Sequence, residues 1–71
     1  MQCFVCRSEV EHVVISDGIL LRCTTCGNYE VSDTAVRTSK ERSPEEWLQA
    51  LARAKGTARA GVWPKITTFS F

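Results

Sequence analysis

The 71-residue sequence lacks long apolar runs, a large excess of charge of one sign, and any histidine besides His12. No apolar stretch approaches the roughly 18 residues needed to span a membrane, so no transmembrane helix is predicted. Nine basic against eight acidic residues leave a net charge of +1, which does not indicate a strongly cationic nucleic-acid binder. The first residues have neither the basic start nor the apolar stretch of a signal peptide, so we expect a cytoplasmic protein with reduced thiols.

The length and composition indicate one small globular domain over residues 1–71. Hydrophobic residues make up 44% and charged residues 24%, which argues against disorder. A core of this size stays near the margin of stability unless a metal, a disulfide or a partner subunit stabilises it. The size also argues against a stand-alone enzyme, so we expect no catalytic residues and no small-molecule substrate.

All four cysteines fall in two pairs, Cys3–Cys6 and Cys23–Cys26, with the spacing C-x2-C-x16-C-x2-C. This spacing is typical of a four-thiolate zinc site, because each tight turn points two sulfurs at one metal about 2.3 Å away. Four ligands of one kind close the coordination shell. We therefore predict one structural Zn²⁺ rather than a catalytic one.

Three alternatives exist for these cysteines. A disulfide framework conflicts with the expected reducing compartment. A thioredoxin-like redox pair requires one C-x-x-C beside a βαβ pattern, which two pairs in this chain fit poorly. A rubredoxin-type iron site uses the same ligands and stays open.

The segment between the two pairs is predicted to form a β-hairpin. Asp17-Gly18 is typical of a two-residue type I′ turn, and it would place Ile15 opposite Leu20 and His12 opposite Cys23. His12 would then either donate a hydrogen bond to a thiolate as a possible second-shell residue or simply line the sheet. Residues 28–32 alternate in polarity and predict a third strand.

Two helices are predicted after the third strand. Ser32 or Asp33 would cap a short helix that runs to about Ser39. In the second helix Ser43 is the cap, Pro44 and Glu46 complete a capping-box pattern, and Gly56 ends it. Its apolar stripe, predicted to pack on the ribbon as core, comprises Trp47, Leu48, Leu51 and either Ala54 or Ala52.

The C-terminal segment 62–71 is unusually aromatic and is predicted to be extended. One interpretation is that Trp63 and Phe69 fold back over a face of the hairpin. The other is that the segment adds as a strand to a second copy or to another protein, with Trp63, Phe69 and Phe71 as partner contacts.

The residues Cys3-x2-Cys6 and Cys23-x2-Cys26-Gly27, with a short hairpin between them, resemble the zinc ribbon superfamily. The ending Cys26-Gly27-Asn28-Tyr29-Glu30-Val31-Ser32 is similar to the C-G-x-Y-x-[IV]-S ending of small bacterial zinc ribbons. Arg7 departs from this pattern, because a glycine often follows the second cysteine. The resemblance covers residues 1–32 and implies a binding module.

The fold class expected is therefore a small metal-stapled α+β protein. An N-terminal zinc ribbon, made of a β-hairpin plus a third strand, occupies residues 1–32. One or two helices follow over residues 33–56. A loop and the extended aromatic segment complete the chain over residues 57–71.

The function expected is that of a structural zinc module acting as a protein-interaction adaptor or small subunit, with a protein partner or a homodimer. The alternative is nucleic-acid binding, because residues 32–71 carry a net charge of +3 while residues 1–31 carry −2. The nucleic-acid contacts would be Arg53, Lys55, Arg59 and Lys65, with Trp63 nearby for stacking. Catalysis or redox sensing is the least favoured hypothesis.

Overall fold

A computed structural model describes residues 1–59 and 61–71 and confirms the predicted small α+β class. Three antiparallel strands are followed by one short and one long helix, and the chain ends in a strand and a turn. The elements are β1 (Glu11–Ile15), β2 (Gly18–Cys23), β3 (Gly27–Ser32), α1 (Asp33–Arg37), a 3₁₀ turn (Ser39–Glu41), α2 (Pro44–Thr57), β4 (Lys65–Ile66) and a second 3₁₀ turn (Thr68–Ser70). Neither α-helix of the described ranges has the length and apolar character that a bilayer crossing demands.

The sheet has the strand order β1-β2-β3-β4, with β4 parallel to β3 and the other pairs antiparallel. The C-terminal segment therefore adds a strand to the chain's own sheet, where Val31 pairs with Ile66. The Ile66 side chain is fully buried. Lys65 reaches Glu30 with its Nζ atom 3.1 Å from the carboxylate. Segment 62–71 is thus partly incorporated into the core, and only two of its residues are in the strand.

The predicted hairpin forms, but its register is shifted by two residues. Ile15 pairs with Gly18 and His12 pairs with Leu21, so Ser16 and Asp17 form the tip. A type I′ turn needs positive φ at both central residues, whereas Arg7 is the one non-glycine residue with positive φ in ranges 1–59 and 61–71. Because the shift is even, each side chain keeps its predicted face.

Both predicted helices form, and their N-termini match the prediction. The Ser32 hydroxyl accepts from the Ala35 amide, and Ser43 and Glu46 form a complete capping box. The predicted end at Gly56 is wrong by one residue, because α2 continues to Thr57 and Ala58 is the C-cap.

The apolar stripe of α2 is also corrected. Leu48 is 55% exposed, and Ala52 lies on the exposed face as well. The buried residues of the helix are Trp47, Ala50, Leu51 and Ala54. Their spacing of three and four places them on one side of the helix, toward the sheet.

One apolar core lies between the sheet and the helices. Its members come from both halves of the chain: Cys3, Leu21, Cys23, Tyr29, Val31, Ala35, Trp47, Ala50, Leu51, Ala54 and Ile66. Trp47 is the largest of them and is 1% exposed. Phe4 stacks on its ring at 4.5 Å, and Phe71 meets it edge-on at 4.9 Å. The first cysteine turn and the last residue therefore both pack on α2.

Candidate metal centre

The two cysteine turns bring four sulfur atoms to one point, within 4.8 Å of one another. Cys3 Sγ lies 3.8 Å from Cys26 Sγ, and Cys6 Sγ lies 3.5 Å from Cys23 Sγ. A regular tetrahedron with 2.3 Å metal–sulfur bonds has edges of about 3.8 Å. All four thiols are free of disulfides. The cluster is therefore positioned to hold one metal ion and fits a zinc ribbon-like motif.

Backbone amides point at the sulfurs in both turns. The Val5 amide lies 3.4 Å from Cys3 Sγ, and the Cys26 amide lies 3.3 Å from Cys23 Sγ. These donors stabilise thiolate charge. The turns require unusual backbone at the residue after each pair: Arg7 has φ +64° and Gly27 has φ +86°. Gly27 adopts this conformation freely, but Arg7 adopts it at a steric cost.

Tyr29 is the buried polar neighbour of the cluster. Its hydroxyl lies 3.1 Å from Cys3 Sγ and accepts a hydrogen bond from the Phe4 amide at 3.2 Å. The ring is fully buried, and this burial raises the pKa of its hydroxyl. Tyr29 therefore stays protonated and can donate to the sulfur, as residues behind metal ligands commonly do.

The thiols themselves differ in proton affinity. Burial, followed by contacts with the other sulfurs, raises the pKa of Cys26 to about 12. Ser8, through its backbone and its hydroxyl, lowers the pKa of Cys6 to about 6. Four crowded sulfurs cannot all ionise at low energetic cost without a cation among them. A bound dication removes that cost, so the donor set has the chemistry of a metal site.

His12 lies away from the sulfurs. It pairs with Leu21 instead of Cys23, its side chain is exposed, and no hydrogen bond joins it to a cysteine in ranges 1–59 and 61–71. The predicted position opposite Cys23 is thus wrong, because it depended on the type I′ turn. Of the two alternatives for His12, the sheet residue therefore fits, and Tyr29 is the residue that lies beside a sulfur.

Two contacts at the site were missed by sequence reasoning. Tyr29 was predicted only as a strand residue, although its place in the C-G-x-Y pattern, three residues after a ligand, was a usable signal. Lys55 of α2 donates to the Cys26 carbonyl at 2.8 Å. These two residues are 29 positions apart, and no local pattern connects them.

The predicted basic residues are mostly engaged within the molecule. Besides Lys55, Arg53 donates to the Ser70 carbonyl at 2.9 Å, and Lys65 pairs with Glu30. Arg59 is exposed. The four therefore do not form one free surface.

The three aromatic residues predicted as partner contacts lie in different surroundings. Phe71 is partly buried on Trp47, and Phe69 is 95% exposed. Trp63 is partly buried and lines a groove with Val13 and Leu20 of the hairpin. The fold-back interpretation thus holds for Trp63 and fails for Phe69.

Comparison of the chain with protein-family models, with curated proteins and with solved structures found no match.

Proposed function

We propose that the protein is a structural zinc-binding module that serves as a protein-interaction adaptor or small subunit and catalyses no reaction. The observation that carries the zinc assignment is the cluster of four sulfurs, in which the Cys3–Cys26 and Cys6–Cys23 sulfur–sulfur distances are 3.8 Å and 3.5 Å. Four thiolates satisfy a tetrahedral ion and leave no open position for water or substrate. Cys3, Cys6, Cys23 and Cys26 would hold the ion, which would supply folding energy.

Elemental analysis of the reduced, purified protein tests this assignment. We expect one zinc per chain and no colour from iron. The double variant Cys23→Ser/Cys26→Ser should lose the metal, while the matched variant Thr24→Ser, on an exposed residue of the same turn, should retain it. A protein that carries iron, or that carries no metal after expression with zinc present, contradicts the zinc assignment.

The adaptor role is supported by the free edge of the sheet. β1 pairs with β2 alone among the described strands, so its outer backbone groups are open to another strand. Val13 and Val14 of this strand are 52% and 73% exposed, one on each face of the sheet. An exposed, apolar edge strand suits addition of a strand from a protein partner or a second copy.

Charge insertion at the edge tests the adaptor role. Val14→Lys should abolish self-association, measured by light scattering, or retention of a specific partner. Leu48→Lys places the same charge on an equally apolar but helical surface position and should change neither. Deletion of residues 62–71 is a poor test, because it would remove the buried Ile66. The adaptor role is contradicted if the protein is monomeric and Val14→Lys changes no interaction.

A further inference from the structure

A cleft of about 450 Å³ opens beside the first cysteine pair. It adjoins Cys3, and its walls come from the first turn, from the 3₁₀ turn at 39–41 and from the start of α2. None of the residues that line it carries a carboxylate. Apart from the buried Trp47, the side chains of the lining with hydrogen-bonding nitrogen or oxygen atoms or an aromatic ring are Gln2, Phe4, Arg7, Ser39, Lys40 and Arg42.

The cations of this cleft are largely uncommitted. The side chains of Arg7, Lys40 and Ser39 make no hydrogen bond or ion pair anywhere in residues 1–59 and 61–71, unlike Arg53, Lys55 and Lys65. Uncommitted donors that line one concave surface can attract an anion without breaking an existing interaction.

Arg42 lines the cleft and is held in place by two neighbours that lie outside the lining. Its guanidinium lies 4.1 Å from the centre of the Phe71 ring, and one nitrogen lies 3.5 Å from the Glu46 carboxylate. The side chain is partly buried, so it loses little further freedom when it binds a ligand. The pair with Glu46 is long and partly exposed, and it leaves other N–H groups of the guanidinium available.

Arg7 occupies a backbone conformation that favours glycine. Its φ is +64°, and its amide donates to the Cys3 carbonyl at 3.1 Å, which fixes the residue to the cysteine turn. A bulky residue kept in a strained conformation is typical of functional positions. Arg7 is also one of the residues that line the cleft, so the cysteine turn fixes a cation beside it.

The cleft also offers a surface for a planar group. Phe4 stacks on Trp47 at 4.5 Å and remains partly exposed, and the exposed amide of Gln2 lies on the same lining. A peptide that binds through one carboxylate would need only one of the three cations and would not use the aromatic ring of Phe4. A phosphate monoester carries close to two negative charges at neutral pH. Three cations, a hydroxyl, an amide and an aromatic ring together suit a nucleotide.

We propose that this cleft binds a nucleoside monophosphate, or the phosphorylated end of a nucleic-acid strand, through the phosphate monoester they share. Arg7, Lys40 and Arg42 hold the phosphate, and Phe4 contacts the base. The site is separate from the free edge of β1, so it goes beyond the adaptor role proposed above.

A competing explanation is that the cations only balance the charge of the metal centre. Four thiolates and one Zn²⁺ carry a net charge of about −2, and Cys3 borders the cleft. If this were their whole role, neutralising Arg7 would lower metal retention and the cleft would not distinguish a nucleotide from any other anion. Zinc retention and anion selectivity of the Arg7 variant therefore distinguish the two explanations.

Titration calorimetry of the full-length, metal-loaded protein at low salt tests the proposal. The probes are AMP, adenosine and inorganic phosphate. We expect AMP to bind at least about tenfold tighter than either of the other two, and to bind more weakly as salt rises. Arg7→Gln and Lys40→Gln should each weaken AMP binding about tenfold. Arg22→Gln makes the same charge change at an exposed residue of β2 and should change the affinity for AMP by less than about twofold.

A further ligand comparison identifies the source of the phosphate. A 5′-phosphorylated trinucleotide that binds more tightly than AMP identifies a strand end, and equal affinity identifies a free nucleotide. The proposal is overturned if AMP binds no better than inorganic phosphate, or if a phosphoserine peptide equals AMP. It is also overturned if Arg7→Gln releases zinc without changing AMP affinity.

Discussion

Gly18 lies where the hairpin approaches the third strand, and the missing side chain makes that approach sterically feasible. A Cβ atom there would lie 2.0 Å from the Val31 carbonyl oxygen and 3.0 Å from backbone atoms of Ser32. Backbone cannot move aside as a flexible side chain can. We expect Gly18→Ala to lower the free energy of unfolding by about 3 kcal/mol, measured by urea denaturation of the metal-loaded protein.

Gly56 provides the control for this substitution. It lies inside α2, and a Cβ atom there would contact nothing within 4 Å. Gly56→Ala should therefore raise the free energy of unfolding by about 0.5–1 kcal/mol, because alanine is the better helix former. If the two alanine variants changed stability alike, the close approach at Gly18 would not be what limits that position.

Tyr29 and His12 offer a second test at the residue scale. Tyr29→Phe removes a buried hydroxyl that contacts Cys3 Sγ and pairs with the Phe4 amide. The substitution should lower the free energy of unfolding by about 1–3 kcal/mol and weaken zinc retention about tenfold in a chelator competition. His12→Gln, at the exposed position, should leave both quantities unchanged.

The opposite result would favour the alternative in which His12 hydrogen-bonds to a thiolate. If His12→Gln weakened zinc retention and Tyr29→Phe did not, a histidine beside the thiolates would describe the site better than the tyrosine does. Because zinc binding and folding are coupled, the loss of zinc retention in Tyr29→Phe is compared with that in Gly18→Ala, which lowers stability at the end of β2 away from Cys23. A direct role of the hydroxyl predicts a larger loss of zinc retention in Tyr29→Phe for the same loss of stability.

At the scale of elements, the sequence predicted what local patterns encode. The Ser43–Glu46 capping box, the Ser32 cap and the alternation of Tyr29 and Val31 depend on residues a few positions apart, and each is confirmed. The hairpin register failed for a non-local reason. The tip lies against the start of α1, where the Asp33 amide donates to the Asp17 carbonyl at 2.7 Å, and this pairing overrides the turn preference of the Asp17-Gly18 dipeptide.

The N-terminus of α2 should respond to pH. The backbone amide of Ser43 donates to the Glu46 carboxylate and, with help from nearby Arg42, holds the pKa of Glu46 below its usual value. A carboxyl whose pKa is lowered by folding stabilises the fold above its unfolded pKa and loses that contribution as pH falls through its folded pKa. The stability advantage of the native sequence over Glu46→Gln should therefore be constant near neutrality and shrink below about pH 4.5.

The difference between the two proteins is the quantity to measure, by denaturation at a series of pH values. Acid also protonates the cysteine ligands and releases metal, so the comparison is limited to pH values at which both proteins still hold zinc. Glu45→Gln is the matched control, because Glu45 lies in the same exposed first turn but outside the capping box. A pH-independent difference for Glu46→Gln would contradict the role assigned to its charge.

At the scale of the whole molecule, the cysteine cluster was more predictable than its surroundings. Spacing alone identified the four cysteines, because each pair forms one local turn. The bond from Lys55 to the Cys26 carbonyl and the packing of Phe71 on Trp47 join segments more than twenty residues apart. Such contacts depend on how the two halves pack, and a single sequence carries no local signal for them.

This packing makes the cysteine cluster and the long helix interdependent. Cys3 and Cys23 belong to the same core as Trp47 and Leu51, so loss of the metal should remove the surface on which α2 is buried. An isolated helix of 14 residues is marginal in water, whereas zinc contributes about 10–16 kcal/mol in small zinc folds. Titration with a zinc chelator should therefore abolish the helical circular dichroism and the near-ultraviolet signal of the tryptophans together, at the same degree of zinc removal. A helix that survives complete zinc removal would show that the core stabilises α2 independently of the cysteine cluster.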